Sequence, residues 1–184
     1  MQTNMLAIDV GFASMGCCVL CIKPKGYALV YKCVIATKAS PKKLSIRSAD
    51  DNVRRCREIT RSVVDLISKH NIKVVALEMP SMGAKSALAM RGMGLACGII
   101  GALDIVYDSI PFLYATPTDV KMAMTGTKNA SKEEVQSIAV GMIPDILDDV
   151  NKTHREHVAD ALGAAVAVKD SPVLEILRSI ADDA

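Results

Sequence analysis

The chain has 184 residues, of which 51% are hydrophobic and only 3% aromatic, and it contains no tryptophan. This length suits one domain, residues 1–184, whose core must be built from aliphatic side chains rather than from rings. The net charge of +2 is too small to indicate a nucleic-acid-binding protein by itself, although bases outnumber acids from Lys23 to Arg61.

Three apolar, β-branched segments open the chain, at Met5–Val10, Met15–Ile22 and Tyr27–Thr37. Turn-forming residues separate them, and this spacing predicts an antiparallel β-meander. A loop then leads to Ser48 and Asp51, whose S-x-x-D spacing predicts the capped start of a helix. The polar first residues do not resemble a secretory signal, so we expect an intracellular, cytoplasmic protein.

The second half of the chain alternates strands and helices. Lys73–Glu78 is a nearly continuous apolar run, typical of a central parallel strand. The small-residue segment from about Ala84 to Asp108 predicts a buried helix rather than a membrane span, since it contains Arg91 and Asp104. Pro111–Ala115 predicts the fifth strand.

Capping signals place the remaining helices. One helix follows the Thr116-Pro117 pair and another follows the Ser131 capping box. A third extends from about His154 to Lys169, and the last begins at Ser171-Pro172. The fold class expected from this order is α/β, with a five-stranded mixed sheet of antiparallel meander plus parallel strands, flanked by helices.

Two of the predicted strands end in a carboxylate. Asp9 ends the first strand and Glu78 ends the fourth, and a βαβ crossover should make these strands parallel neighbours. Two unpaired carboxylates so close together repel each other unless a cation lies between them. Hard oxygen ligands of this kind favour Mg²⁺ or Mn²⁺.

A third element, "HREHVADALGAAVAV", carries an imidazole and a carboxylate on one helical face. His157 and Asp160 are three residues apart, and Gly163 allows close packing. Taken singly, each acid is more simply explained as a solvated or capping residue, and His157 as a structural histidine. Together with the two strand-end acids they indicate a catalytic site.

Four segments of the sequence resemble those of a known family. "LAIDVGFASMGCCVL", "VVALEMPSMGAKSALAMRGMGLACGIIGALD", "YATPTDVKMAMTGTKNASKEEVQSIAV" and "HVADALGAAVAV" are similar to successive motifs of the RuvC-type Holliday junction resolvases. These motifs extend from Leu6 to Val168. The resemblance implies an RNase H-like fold and a structure-selective endonuclease that resolves four-way DNA junctions by paired phosphodiester hydrolysis, giving 5′-phosphate and 3′-hydroxyl nicks.

The resemblance also implies a site. Asp9, Glu78 and Asp160 would bind Mg²⁺, for which Mn²⁺ may substitute, with two ions per active site. His157 stands where many relatives have aspartate, so it either coordinates an ion or carries a proton. Lys121 and Lys132 would assist catalysis. Lys121 and Lys132 would also contact the DNA. The other residues expected to contact DNA are Lys85 and Arg91, which extend the basic surface from Lys23 to Arg61, and Lys128 and Met82.

Further expectations follow from the family. The glycine-rich helix would form a homodimer, which matches the two-fold symmetry of a junction, and any helicase partner is unidentified. Gly11 is expected to keep the backbone clear for a phosphate. Some relatives have an aromatic residue after the glutamate that stacks on junction bases, whereas this chain has Pro80-Ser81-Met82. The base preference of those relatives therefore cannot be assigned to this chain.

Three alternative functions can be compared with the sequence. "AIDVG" also resembles the phosphate loop of actin-like and sugar-kinase ATPases, but those proteins need more than twice this length. A junction-binding module without cleavage would lack a carboxylate, and all three are present. An RNase H-like nuclease acting on other branched DNA or on RNA stays open as the alternative.

Overall fold

One five-stranded sheet organises the fold. The structure is a computed structural model that describes residues 3–81, 83 and 86–182, with side chains as far as residue 180. The sheet has the order β3-β2-β1-β4-β5. Its strands are β1 (Asn4–Asp9), β2 (Ser14–Ile22), β3 (Tyr27–Ala36), β4 (Ile72–Glu78) and β5 (Phe112–Ala115).

The strand directions are mixed in the predicted way. β1, β2 and β3 pair antiparallel as a meander, whereas β4 pairs parallel with β1 and β5 pairs parallel with β4. The predicted five-stranded mixed sheet is therefore confirmed, with every strand end within one residue of its expected position.

Six α-helices cover the two faces of the sheet. They are α1 (Ser48–Lys69), α2 (Ala87–Val106), α3 (Pro117–Thr125), α4 (Lys132–Met142), α5 (Arg155–Ala167) and α6 (Pro172–Asp182). Ile8 and Val75 face the core under α1 and α2, while Ala7 and Ala76 face the opposite core with α3 to α6. Neighbouring residues of a strand point to opposite faces, so one apolar run supplies both cores.

Local capping explains where several helices begin. The cap predicted at Thr116 and the capping box predicted at Ser131 are both formed, and Asp119 makes the cap at Thr116 a box as well. The cap predicted at Ser48 is wrong, because Arg47 is the N-cap residue and makes no side-chain cap. The carboxylate of Asp51 instead accepts hydrogen bonds from the backbone N (3.2 Å) and Oγ (2.6 Å) of Ser40. Asp51 therefore holds the loop after β3 instead of the helix end.

Helix α2 differs most from its prediction. It was expected to be buried, but Leu88, Ile105 and Val106 are 76%, 81% and 71% exposed. By length and composition this helix is apolar enough to cross a membrane, although those properties are weak evidence. Apolar and small residues surround the whole helix, so composition did not reveal which side faces the sheet.

Candidate active site

Asp9 and Glu78 are direct neighbours in the sheet. β1 and β4 are parallel, and the two residues are register partners at the carboxyl ends of their strands. Glu78 is only 9% exposed. The strand adjacency expected from the sequence is therefore confirmed, and it places two carboxylates at the edge where open α/β sheets have their sites.

Helix α5 reaches this edge because two glycines allow it to pack closely. A Cβ on Gly16 of β2 would lie 2.0 Å from the carbonyl oxygen of His157, and one on Gly163 would lie 2.5 Å from Cγ1 of Val120. A side chain at either position would push the helix away from its neighbours. The close contact brings His157 and Asp160 to the carboxylates. The sequence indicated Gly163, but it gave no sign that Gly16 touches the helix.

His157 is bound to Asp9 directly. Its Nδ1 lies 2.7 Å from Oδ2 of Asp9. Because a carboxylate accepts, Nδ1 carries the proton. This hydrogen bond raises the pKa of His157, against the lowering effect of burial. Nε2 lies 4.0 Å from Oε1 of Glu156. The imidazole thus links two acids, one of which the sequence analysis did not identify.

The carboxylates crowd one another. Burial, with the nearby charges of Asp160 and Asp9, raises the pKa of Glu78 to about 9, and Lys121 opposes this shift. Burial also raises the pKa of Asp160 to about 7, together with Asp9 and Glu156 and against His157 and Lys132. The site therefore concentrates negative charge in a place that disfavours it unless protons or cations compensate.

The donor set fits a divalent cation. Among the described residues, the buried Oε2 of Glu78 has no hydrogen-bond partner, which is costly for a carboxylate oxygen without a ligand. Asp9, Glu78 and Asp160 supply the hard oxygen atoms that Mg²⁺ and Mn²⁺ prefer. Within the described ranges, no group of three His, Cys, Asp or Glu side chains is already arranged as a finished coordination shell. Asp9 is instead engaged by His157.

The two predicted catalytic lysines lie near the acids. Lys121, on α3, is close enough to Glu78 to lower its pKa. Lys132, at the first position of α4, has its Nζ 2.5 Å from Oε2 of Glu156. Glu156 is thus a residue that sequence reasoning missed, since an acid in the first turn of a helix normally indicates only favourable dipole interactions.

The structure places some of the other predicted DNA-contacting residues. Arg91 lines, together with His157, a cleft of about 510 Å³ beside the site. Lys128 is exposed between α3 and α4. Met82 and Lys85 lie outside the described residues.

Gly11 has a different function from the one expected. A Cβ there would lie 2.1 Å from the carbonyl oxygen of Ser14. The space beside Gly11 is thus filled by the turn itself, and glycine is required to close the tight connection between β1 and β2. Clearance for a phosphate is not the reason that the structure gives.

Comparison with known proteins gives a consistent result. The family model described as crossover junction endodeoxyribonuclease RuvC matches residues 5–168. RuvC of Moorella thermoacetica is 32% identical over 165 residues, 88% of each chain. RuvC of Protochlamydia amoebophila is 30% identical over 175 residues, 95% of each chain. The match to RuvC of Salinibacter ruber, 32% identical, covers 67% of this chain and 65% of that protein.

Solved structures agree with the observed fold. A structure of Thermus thermophilus RuvC in complex with a Holliday junction substrate matches with a TM-score of 0.71 and 22% identity, and covers 97% of each chain. The yeast mitochondrial Holliday junction resolvase Ydc2 matches with a TM-score of 0.65 and 12% identity, over 99% of this chain and 84% of that one. At these identities the likeness shows the fold alone, and the expected RNase H-like architecture is confirmed. From the family match and the curated relatives together, the chain belongs to the RuvC family of crossover junction endodeoxyribonucleases.

Proposed function

We propose that this chain is a metal-dependent Holliday junction resolvase that hydrolyses one phosphodiester in each of two strands of a four-way DNA junction. The observation that carries the proposal is the pairing of Asp9 with Glu78 at one sheet edge, faced by His157 and Asp160 of α5. The Thermus thermophilus structure of the same fold was determined with a Holliday junction substrate. Products with 5′-phosphate and 3′-hydroxyl ends are expected.

Asp9, Glu78 and Asp160 would hold the metal, with Mg²⁺ as the natural ion and Mn²⁺ as a substitute. The raised pKa values of Glu78 and Asp160 support this assignment, as does Oε2 of Glu78, which is buried without a hydrogen-bond partner in the described part of the chain. When two divalent ions are bound, they supply a nucleophilic water and stabilise the charge on the leaving 3′-oxygen.

His157 is proposed to position Asp9. Its Nδ1–H is fixed on the carboxylate, so the ring orientation of the imidazole and the direction of Oδ2 are set together. Nε2 is then the ring atom available to a proton or to an ion. Either of the two roles that the sequence left open for His157 would therefore fall to Nε2.

Cationic side chains would complete the site. Lys121 and Lys132 approach the carboxylates from α3 and α4, where they can stabilise negative charge on the transferring phosphoryl oxygens. Arg91 and Lys128 would contact DNA phosphates farther out. Such contacts release counterions, so junction affinity should fall steeply as salt rises.

The protein is proposed to act as a homodimer formed through α2. Leu88, Ile105 and Val106 are exposed, and the positions of Gly94 and Gly98 have open space where a Cβ would stand. A second copy of the helix would cover this face and pack closely on the glycines. A C₂ dimer presents two equivalent sites, as paired nicking of a four-way junction requires.

Two further proposals concern the domain organisation and the location of the protein. We propose that residues 1–184 form one nuclease domain and that the protein acts inside the cell, where branched DNA arises. The single sheet, which α1 to α6 cover, supports the proposal of one nuclease domain.

The test uses purified protein with three labelled substrates: a four-way junction, a linear duplex and an RNA–DNA hybrid. Reactions contain Mg²⁺, Mn²⁺ or a chelator. Symmetric nicking of the junction alone, absent with chelator, is expected. Asp9→Asn should abolish nicking while junction binding persists, whereas Asp65→Asn, the same change on the exposed side of α1, should nick normally.

Other results would overturn the proposal in defined ways. Equal cutting of the linear duplex would remove structure selectivity. Cutting of the hybrid in preference to the junction would indicate the RNase H-like alternative. A protein that is monomeric by light scattering, both free and with junction, would remove the paired mechanism.

A further inference from the structure

An open cleft of about 510 Å³ adjoins the catalytic edge. It lies between the β1–β2 connection, the start of α1 and the first half of α2, and His157 forms part of its wall. The metal-site acids therefore stand at one end of the cleft. Its volume is in the range that accommodates a nucleoside-sized ligand.

The floor of the cleft is a preformed pair of flat groups. The guanidinium carbon of Arg55 lies 4.1 Å from the centroid of the Phe12 ring. Gly92 packs on the same ring, since a Cβ there would be 3.4 Å from it, and Phe12 is only 9% exposed. The ring is thus fixed between α2 and Arg55, and its cation–π contact holds the guanidinium in place.

Hydrogen bonds fix Arg55 further. Its Nε donates to Oγ1 of Thr37 at 2.9 Å, and Nη2 lies 3.4 Å from the carbonyl oxygens of Phe12 and Thr37. Oγ1 of Thr37 in turn donates to the carbonyl oxygen of Phe12 at 2.6 Å. Within the part of the chain that the structure describes, Nη1 has no such bond. The planar group is therefore held on one side, with donor capacity to spare.

Polar groups stand around this platform. Asn52, one turn before Arg55 on α1, and Ser86 at the start of α2 both line the cleft. An amide and a hydroxyl can each donate to and accept from the edge of a nucleobase. Arg91 adds a positive charge at the rim, where a phosphate would pass.

We propose that this cleft receives an unstacked nucleobase of a nucleotide next to the scissile phosphate, stacked on the Arg55 guanidinium that Phe12 supports and read at its edge by Asn52. The proposal rests on the proposed nuclease function. Arginine planes and aromatic rings are the surfaces on which proteins stack splayed-out bases.

The first test changes only the DNA. Wild-type protein with Mg²⁺ is given four-way junctions in which each nucleotide flanking the cut is replaced, one at a time, by an abasic residue. At one of these positions the abasic residue should lower kcat/KM for nicking by about 10-fold, because a stacked base is lost. An unchanged kcat/KM at every flanking position would overturn the proposal.

The second test changes the side chains that are proposed to contact that base. Arg55→Lys keeps the charge and removes the plane, so it should lower kcat/KM on the intact junction and shrink the abasic penalty to about 2-fold. Asn52→Ala should lower kcat/KM most for the junction with the preferred base at the same position, and so reduce discrimination among the four bases. An equal proportional loss for Arg55→Lys on intact and abasic junctions would show a merely structural role and overturn the stacking assignment.

A matched control separates base contact from phosphate contact. Arg57 lies on the exposed side of α1, outside the cleft. Arg57→Gln should weaken binding of all junctions equally and leave both the abasic penalty and the base preference unchanged. If Arg55→Lys behaves like Arg57→Gln, the cleft binds the backbone rather than a base. Failure to nick any junction would overturn the proposed function and the occupant together.

Discussion

His157 and Asp9 form a hydrogen-bonded pair, with Nδ1 2.7 Å from Oδ2, across 148 residues of sequence. The pair joins α5 to the end of β1 at the centre of the site. It also sets among the acids an imidazole, a group that can be cationic. A cation here lowers the pKa of Asp160 instead of raising it. The histidine therefore relieves crowding among the acids while it orients one of them.

This pair predicts the effect of removing the imidazole. His157→Ala should lower the single-turnover nicking rate about 10- to 100-fold and raise the Mg²⁺ concentration for half-maximal rate, because Asp9 loses its orienting partner. Junction affinity should be unchanged. His70→Ala removes another half-buried histidine, one stacked on Tyr31 away from the site, and should nick normally. Normal nicking by His157→Ala would contradict a positioning role.

The raised pKa values of Glu78 and Asp160 predict how pH changes the stability of the metal-free protein. Below an ordinary carboxyl pKa, the folded and unfolded states both hold the proton. Above it, the unfolded chain releases the proton while the folded site retains it, so stability falls as pH rises toward about 7 for Asp160 and about 9 for Glu78. The raised pKa of His157 acts in the same direction.

Thermal melts with chelator at pH 5, 7 and 9 measure this effect. The Tm should fall across the series, and Glu78→Gln should flatten the fall and raise the Tm at pH 9 by at least about 4 °C. Added Mg²⁺ should raise the Tm more at pH 9 than at pH 5, since the ion competes with protons for the same oxygens. A Tm that rises with pH in chelator would contradict the proposed crowding.

The parts of the site on strands followed from the sequence. Apolar runs that end in Asp9 and Glu78, joined by a crossover, leave few arrangements, because parallel neighbours end at the same sheet edge. The three-residue spacing of His157 and Asp160 likewise fixes a shared helical face. These are local patterns combined with a general rule of connection.

Long-range packing did not follow from the sequence. Nothing near Gly16 signals that its missing Cβ makes room for the backbone of His157, and nothing near Phe12 signals that Arg55 covers its ring. Composition likewise predicted a buried α2, and only the family resemblance pointed to this helix as a contact surface. Each of these features depends on which surfaces meet in three dimensions, and a periodic pattern carries no information about that choice.

The contact at Gly16 predicts a sharp effect of one added methyl group. Gly16→Ala would place a Cβ 2.0 Å from the carbonyl oxygen of His157, so α5 must move. Destabilisation of about 1–3 kcal/mol is expected, with a loss of nicking that extra Mg²⁺ does not restore. Gly141→Ala, in α4 with open space around it, should be neutral or slightly stabilising. Denaturant melts and nicking rates measure both, and an active, stable Gly16→Ala would contradict the close packing.

The exposed face of α2 predicts that assembly and nicking fail together. Ile105→Asp places a charge on a residue that is 81% exposed in the single chain and would be buried between two copies. Light scattering should show a shift from dimer to monomer, and paired nicking of the junction should be lost. Ile176→Asp makes the same change on α6, where the side chain is 61% exposed, and should leave a nicking dimer. A dimeric, active Ile105→Asp would place the partner surface on another face, because a carboxylate buried against apolar side chains in the interface would cost too much for the dimer to persist.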